Sequence, residues 1–364
     1  MKNRFLVIIP FVVLIMSCGI SPKDQTITDQ DFPLRKRWSA LLNGFDISRL
    51  AVSEDWIVAS QSNGVTAIDT KTGNLLWNRE FQVDIDSQLL FVNGNIVVAN
   101  LDQMKVINKS GEELTTIRFD SGDESAKIVA GYSEYIFVRR VPSWSLEVYQ
   151  LSTGQLAWEI PFGRGSISIS FDDKTNIVYL TSVDSVRAYD ISNGNLIWEI
   201  DKNTATGALD ANVLFYSSDL SKNEKILQVS AVDVQSLNVL WDTQITYGVR
   251  TKIYNLAIFD NTLLVGTDFG LLALNKKDGH ELWQSQTNDS FDGEPVVIND
   301  VIYERSAGEY TIYAISPTNG QYLGYLRLGK SLLPISHSED SVIYATGELL
   351  IFPDKNTVYA YAPR

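Results

Sequence analysis

A phrase of 14 residues recurs along this chain at a nearly constant spacing, and it constrains the fold more than any other feature. In its clearest copy, residues 64–77, a β-branched strand leads into the turn Asp-Thr-Lys-Thr-Gly, and a second strand opens with Leu-Leu-Trp. These turn residues favour a hairpin, because Asp bonds backbone amides ahead of it and Gly accepts a positive φ without steric cost. Two further copies match position for position and end at Trp198 and Trp283.

The copies define a period of about 40 residues. From Trp158 onward the last residue of the phrase recurs in steps of 40, 43, 42 and 41 residues. Some copies are degenerate: one near position 116 has a shorter turn and no Trp, one has Leu237 in place of the turn Gly, and one has Gly324 in place of the Trp. In all, the second strand of the phrase recurs at positions near 38, 77, 116, 158, 198, 241, 283 and 324.

The two ends of the array complement each other. The first copy, around Trp38, supplies a last strand with no strands before it, and residues 357–361 supply the earlier strand of a final copy. A linear array would leave both half-units with unpaired edges, whereas a ring lets the N-terminal strand complete the last sheet. We therefore predict an all-β fold with almost no helix: an eight-bladed β-propeller of four-stranded antiparallel blades over residues 33–364, closed by the N-terminal strand.

The N-terminal residues have a different character. A short basic region precedes an apolar run over residues 5–16, which is too short to span a bilayer and is typical of a secretory signal. The run is followed by Ser17 and by Cys18, the only cysteine of the chain. This arrangement resembles the bacterial lipobox, in which the signal is cut before a cysteine that is then lipidated. We predict a signal peptide over residues 1–17 and lipidation of Cys18; the alternative is a signal cut elsewhere with an incidental cysteine.

Composition limits the remaining choices. Residues 18–32 are polar after the cysteine, which predicts a flexible tether rather than a folded segment. The chain carries 44 acidic and 30 basic residues, a formal net charge of −14. This balance argues against nucleic acid as a partner, because nucleic acid requires a basic face.

The repeated phrase Ala-x-Asp-x-x-x-Gly-x-x-x-Trp resembles the pyrroloquinoline-quinone (PQQ) repeat, and the resemblance covers nearly all of residues 33–364. In that superfamily the Trp docks against the neighbouring blade and ties the ring together. A repeated aromatic is also most simply explained as a packing residue. The resemblance implies structural docking roles for Trp38, Trp77, Trp158, Trp198, Trp241 and Trp283.

Two groups within this superfamily are candidates. Quinoprotein dehydrogenases are longer, hold the quinone beside a vicinal disulfide and coordinate Ca²⁺, and a chain with one cysteine cannot form that disulfide. BamB-like lipoproteins are eight-bladed propellers of about this length that scaffold the outer-membrane assembly machinery. The resemblance to them implies a non-catalytic, monomeric scaffold without a cofactor that binds an envelope protein. It would be exported and lipid-anchored to the outer face of the cell membrane or to the outer membrane facing the periplasm. A quinone-dependent dehydrogenase and a carbohydrate or cell-wall binding propeller are the alternatives.

Few residues suggest chemistry. His280 and His337 stand in unrelated positions and do not suggest a zinc site. The acidic residues 120–124 could hold Ca²⁺ weakly, but their spacing matches no known cage and favours a solvated loop.

One irregular loop combines two cations with an aromatic. Arg139, Arg140 and Trp144 lie within six residues of one another, and Arg and Trp are enriched at interaction hot spots. We predict a partner contact here; the alternative is that Trp144 folds back onto its own blade.

Overall fold

The computed structural model forms strands and turns, and the residues that it describes contain no α-helix. No helix among them is therefore long and apolar enough to cross a membrane. The described residues are 31–44, 46–62, 64–81, 88–100, 103–119, 125–141, 143–161, 167–172, 174–201, 204–221, 226–245, 252–286, 291, 293–306, 311–328 and 343–363.

These residues form eight four-stranded antiparallel sheets, which are the blades of the predicted propeller. The first strand, β1 (Leu34–Leu41), belongs to blade 8. Blade 1 comprises β2 (Arg49–Val52), β3 (Trp56–Gln61), β4 (Gly64–Asp69) and β5 (Leu75–Glu80), and blade 2 comprises β6 (Gln88–Val92), β7 (Asn95–Ala99), β8 (Gln103–Ile107) and β9 (Glu113–Arg118). Blade 3 comprises β10 (Ser125–Tyr132), β11 (Tyr135–Val141), β12 (Ser145–Gln150) and β13 (Leu156–Pro161), and blade 4 comprises β14 (Ile167–Asp172), β15 (Ile177–Ser182), β16 (Ser185–Asp190) and β17 (Leu196–Asp201).

Blades 5 to 8 continue in the same order around the ring. Blade 5 comprises β18 (Thr204–Asp210), β19 (Val213–Ser221), β20 (Ile226–Asp233) and β21 (Val239–Ile245), and blade 6 comprises β22 (Ile253–Phe259), β23 (Thr262–Thr267), β24 (Gly270–Asn275) and β25 (Glu281–Gln286). Blade 7 comprises β26 (Val296–Ile298), β27 (Val301–Arg305), β28 (Thr311–Ile315) and β29 (Tyr322–Arg327), and blade 8 comprises β30 (Tyr344–Thr346), β31 (Leu349–Asp354), β32 (Thr357–Pro363) and β1.

The ring is closed by β1, as predicted. This strand pairs antiparallel with β32, from Leu34 opposite Pro363 to Leu41 opposite Thr357. The last sheet therefore has the strand order β1-β32-β31-β30, in which the first of the described strands takes the outermost place. Closure removes the unpaired edge that a half-blade would otherwise expose.

The core lies between neighbouring blades. Every residue of β3 is buried, and β4 is buried from Gly64 to Ile68, because both faces of these middle strands are covered by adjacent sheets. One such cluster joins Phe215 and Val229 of blade 5 to Leu263 and Val265 of blade 6. The outermost strands are mostly exposed, and β5 has one half-buried residue, Trp77.

The antiparallel order gives the ring two different ends. The repeat turns and the turns between the first and second strands of each blade lie at one end, which we name the turn face. The turns between the second and third strands lie at the other end with the links from blade to blade, and we name it the connection face. In blade 1 the repeat turn is built as predicted: Asp69 Oδ1 accepts hydrogen bonds from the Lys71 and Thr72 amides at 3.1 and 2.8 Å, and Gly73 has a φ of +74°.

Candidate functional site

Most tryptophans of the repeat reach across a seam between blades. Each sits on an outermost strand, and its indole N–H points at the repeat turn of the next blade. The indole donates a hydrogen bond to a backbone carbonyl in the pairs Trp38–Thr70 (3.0 Å), Trp77–Lys109 (2.8 Å), Trp158–Ile191 (2.7 Å), Trp241–Lys276 (3.0 Å) and Trp283–Pro317 (2.7 Å).

The same contact explains the glycine of the repeat turn. Gly194 has a φ of +72°, and a Cβ on it would lie 2.7 Å from the ring of Trp158. Glycine is thus required for two reasons, the left-handed backbone and the indole that lies on it. The repeat pairs one residue on each blade with one residue on the next.

Two seams depart from this pattern. Trp198 packs in a cluster with Tyr179, with ring centroids 5.7 Å apart, and the next repeat turn has Leu237 at a φ of +58° in the glycine position. In blade 2 the residue in the tryptophan position is Thr115, which faces Val106 as Trp77 faces Ala67. The tryptophan position of this blade is therefore residue 115, one residue before the predicted position near 116, because the repeat turn of this blade is shorter.

Blade 7 departs in a different way. Gly324 faces Ala314 in the register at which other blades have Trp. A Cβ there would lie 2.6 Å from the Asp31 carbonyl oxygen, so the N-terminal chain fills the place of the indole. Phe32 follows and is buried in the cluster with Tyr303 and Phe352. Phe32 is the first buried residue in the described part of the chain.

The cationic loop of blade 3 is divided between surface and interior. The Arg139 guanidinium lies over the Trp144 ring, 5.0 Å from its centroid, and both side chains are half-buried. Trp144 packs partly against the hydrophobic cluster that its own blade shares with blade 4. It also has a φ of +57°, which is rare for a bulky residue.

Arg140 is buried, and the predicted partner contact is not retained for this residue. Its side chain lies 3.7 Å from Glu147 Oε1 and 5.4 Å from the Phe119 ring centroid. The strand alternation turns it away from Arg139 and into the seam between blades 2 and 3. Glu147 also accepts a hydrogen bond from the Tyr149 hydroxyl at 2.7 Å.

Polar side chains of the innermost strands join neighbouring blades near the connection face. Ser168 Oγ donates to the Gly207 carbonyl at 3.0 Å, Asn255 Nδ2 donates to the Gly293 carbonyl, and the Tyr344 hydroxyl donates to the Leu50 carbonyl at 2.7 Å. The sequence pattern did not single out these residues, because they come from parts of each blade that lie outside the repeated phrase.

One carboxyl group at the connection face has a shifted pKa. Desolvation raises the pKa of Glu294, although its side chain is accessible at the surface. Glu294 stands in the link that leads into β26, at the connection face.

A second polar group lies on blade 6. The Tyr254 hydroxyl donates to Asp268 Oδ1 at 2.5 Å, and Lys252 Nζ lies 4.6 Å from the centroid of the Tyr254 ring. The adjacent Phe269 is 37% exposed, and it is the one aromatic among the strongly exposed large apolar residues in the described part of the chain.

Several sequence predictions fall on other residues. His280 lies in a repeat turn, with Nδ1 2.5 Å from Asp278 Oδ1. Within the described ranges, no three His, Cys, Asp or Glu residues come together in a way that could hold a metal ion. His337, Cys18 and the acidic residues 120–124 lie outside the described residues.

The fold is similar to three solved structures. The structure of BamB from Moraxella catarrhalis superposes with a TM-score of 0.69 at 15% sequence identity, and the alignment covers 90% of this chain and 97% of the BamB chain. The computationally designed Ika8 protein gives 0.68 at 18% identity, with 89% and 98% covered. The quinohemoprotein alcohol dehydrogenase ADHIIG from Pseudomonas putida HK5 gives 0.64 at 13% identity, with 93% and 78% covered. At these identities the likeness shows the fold alone.

The comparison of the sequence with family models is more specific. No curated protein matches the chain. A family model described as outer membrane protein assembly factor BamB matches residues 24–124, 104–255 and 227–364, which together span nearly all of the ring. The protein therefore belongs to the BamB family of PQQ-repeat propellers.

Proposed function

We propose that the protein is a non-catalytic scaffold of the cell envelope, anchored by a lipid on Cys18, that binds an envelope protein through its connection face. The observation that carries the proposal is the match of the assembly-factor family model along residues 24–364. The family description also supports a place at the outer membrane. A single cysteine that follows an apolar run supports the lipid anchor.

The backbone of Trp144 supports this residue as a partner contact. A bulky side chain at a φ of +57° costs about 1–3 kcal/mol, and such outliers concentrate at functional sites. Glycine would satisfy this turn at less cost. A tryptophan in this place is therefore better explained by binding than by stability.

The surroundings of Trp144 suit a protein partner. Arg139 stacks on its ring, and Arg with Trp is the pair of residue types most enriched at hot spots. On the adjacent blade 4, the turn between β15 and β16 exposes Val183 by 39%. This part of the connection face thus combines an aromatic, a cation and an aliphatic side chain.

The test is crosslinking in intact envelopes, followed by purification of the detergent-solubilised protein. We expect one specific membrane protein to be captured with the wild type and less of it with Cys18→Ala. Trp144→Gly should keep the melting temperature, because glycine suits the backbone, and should lose the crosslinked partner. Val239→Ala on an outer strand is the matched control and should keep it. Equal capture by Trp144→Gly and wild type would exclude this contact.

The resemblance of the repeated phrase to the PQQ repeat keeps a quinone enzyme as the second candidate. That candidate predicts a change in visible absorbance when PQQ and Ca²⁺ are added to the purified protein. Enrichment of glycan fragments alone in the crosslinking experiment would instead favour a cell-wall binding propeller. Either result would replace the scaffold proposal.

A further inference from the structure

The charges on the outermost strands are distributed unevenly around the ring. The outer strands of blades 7, 8 and 1 carry five basic residues and one acidic residue, Glu80. The outer strands of blades 3 to 6, all within the described part, carry five acidic residues and no Lys or Arg. We name the first group the basic sector; it consists of Arg35, Lys36, Arg37, Arg79 and Arg327.

The basic sector is available to solvent. All five side chains are exposed, and three of them are consecutive on β1. Arg37 donates to the Pro363 carbonyl at 2.9 Å, and the Arg327 guanidinium lies 5.3 Å from the Tyr325 ring centroid. Screening limits the reach of each charge to about 8 Å at physiological salt, so the three consecutive cations of β1 act locally as a cationic surface although the whole chain has a net charge of −14.

Exposed aliphatic side chains accompany these charges. Leu41 is 71% exposed on β1, Leu75 is 63% exposed on β5, and Leu323 is 40% exposed on β29. Basic and aliphatic side chains on one surface suit the headgroup region of a bilayer, where both contribute to binding. The acidic outer strands also expose aliphatic residues, such as Leu196 and Leu240, so charge is what distinguishes the two sides.

The sector also lies where the chain enters the ring. Phe32 is packed beside β1, and the 14 residue steps from Cys18 to Phe32 span at most about 50 Å. If Cys18 carries the proposed lipid, the chain enters blade 8 within about 50 Å of the bilayer, so the basic sector can reach the membrane surface. With the basic sector on the bilayer, the opposite, acidic side faces away from it.

We propose that the basic sector is a docking surface for an anionic phospholipid bilayer, and that it sets the orientation of the ring on the membrane. The location rests on the proposed anchor, whereas the affinity for anionic headgroups rests on the sector alone. Phospholipid phosphates and the basic side chains are complementary in charge, and this complementarity excludes the acidic strands of blades 3 to 6 from the same surface.

The experiment uses the full chain with Cys18→Ala and one new cysteine that carries an environment-sensitive fluorophore. The label is placed at Ser39→Cys in the basic sector or at Gln244→Cys on the far side, both exposed positions. Vesicles of phosphatidylglycerol with phosphatidylcholine are compared with vesicles of phosphatidylcholine alone. We expect the label at position 39 to brighten on the anionic vesicles only, and the label at position 244 to change little.

Charge reversal identifies the residues responsible. The variant R35E/K36E/R37E should raise the lipid concentration for half of the fluorescence change by at least about 100-fold. Because this variant alters the closing strand, R79E/R327E provides a second test on neighbouring blades and should act in the same direction. The control R118E/K174E/K277E carries the same change in net charge as the triple variant, at exposed positions outside the sector. In this control, the lipid concentration that gives half of the fluorescence change should stay within about 3-fold of the value for the unreversed protein.

Equal responses from the two labels, equal brightening on uncharged vesicles, or an equal effect of the control reversal would each overturn the proposal. The readout is independent of any protein partner. If no specific partner is crosslinked but the label still responds to anionic vesicles, the scaffold is rejected and the docking surface is kept. If a partner is crosslinked but the label does not respond to anionic vesicles, the docking surface is rejected and the scaffold is kept.

Discussion

Gly324 and Asp31 occupy together the place that an indole fills in other seams of the ring. A Cβ on Gly324 would lie 2.6 Å from the Asp31 carbonyl oxygen and 2.8 Å from the Phe32 amide nitrogen. The Phe32 ring then packs edge-on against Tyr303 and Tyr361, at centroid distances of 5.7 and 6.3 Å. The incoming chain thus supplies an aromatic side chain to the seam in which Gly324 stands at the tryptophan position.

Replacing Gly324 by alanine should destabilise the ring, because backbone atoms must move to admit the methyl group. We expect a loss of about 1–3 kcal/mol in the free energy of unfolding, measured by urea titration. Gly293→Ala is the matched control, since the nearest atom to its Cβ would be Glu304 Oε1 at 3.6 Å, an ordinary contact. Equal effects of the two substitutions would show that the contact with Asp31 is not tight.

Replacing Trp158 tests the docking role of the repeated indoles. Trp158→Ala removes an 8% exposed ring and its hydrogen bond to Ile191, and should cost about 3–5 kcal/mol in the free energy of unfolding. Trp158→Phe keeps much of the packing and should cost about 1–2 kcal/mol. If the phenylalanine variant loses as much stability as the alanine variant, the hydrogen bond rather than the packing holds the seam.

Leu237→Gly should stabilise the protein. Leu237 has a φ of +58° at a position where other repeat turns have glycine, and its amide already donates to the Asp233 carbonyl at 2.8 Å. Relief of the left-handed conformation outweighs the extra chain entropy of glycine and leaves a gain of about 0.5 kcal/mol. The reciprocal change Gly279→Leu should lower the melting temperature strongly, because its Cβ would lie 2.4 Å from the Trp241 ring. A lower melting temperature for Leu237→Gly would contradict this prediction.

Glu294→Gln should change the dependence of stability on pH. Desolvation raises the pKa of this carboxyl above its unfolded value, so ionisation in the folded state costs free energy. Below the unfolded pKa of about 4.3 both states are neutral and the glutamine variant gains nothing from this source. Stability of the wild type falls as pH rises through the folded pKa, and the gain of the variant is complete above it. Melting temperatures from pH 4 to pH 8 test this, with Glu348→Gln at an exposed turn as control.

The sequence predicts the ring because one phrase carries several constraints at once. Its Gly must take a positive φ, its Asp must cap the turn, and its Trp must meet the Gly of the next blade. A period of about 40 residues follows from these contacts, and the number of blades follows from the period. Closure is predicted by the same logic, since β32 offers an edge with which β1 pairs along its length, apart from one register shift between Lys36 and Trp38.

Other features depend on distances that no local pattern encodes. Arg139 and Arg140 are the same residue type at consecutive positions, but they lie on opposite sides of β11. Arg139 is half-buried and stacks on Trp144, whereas Arg140 is buried and contacts Glu147. Alternation along β11 does not separate them, because Phe137 on the side of Arg139 and Val138 on the side of Arg140 are both fully buried. The basic sector was not predictable, because the strands that carry Arg327 and Arg37 belong to adjacent blades only once the ring is closed.

The pairing of β1 with β32 also fixes an order of events during synthesis. Seven of the eight described sheets use strands that are consecutive in the chain, so each can form as it is made. The eighth joins Leu34 to Pro363, the two ends of the described chain. β1 is therefore made long before the strand that it pairs with, and its edge must be kept from other chains until β32 has been synthesised. Truncations near the C-terminus should accordingly release the N-terminal strand as well as the residues that they remove.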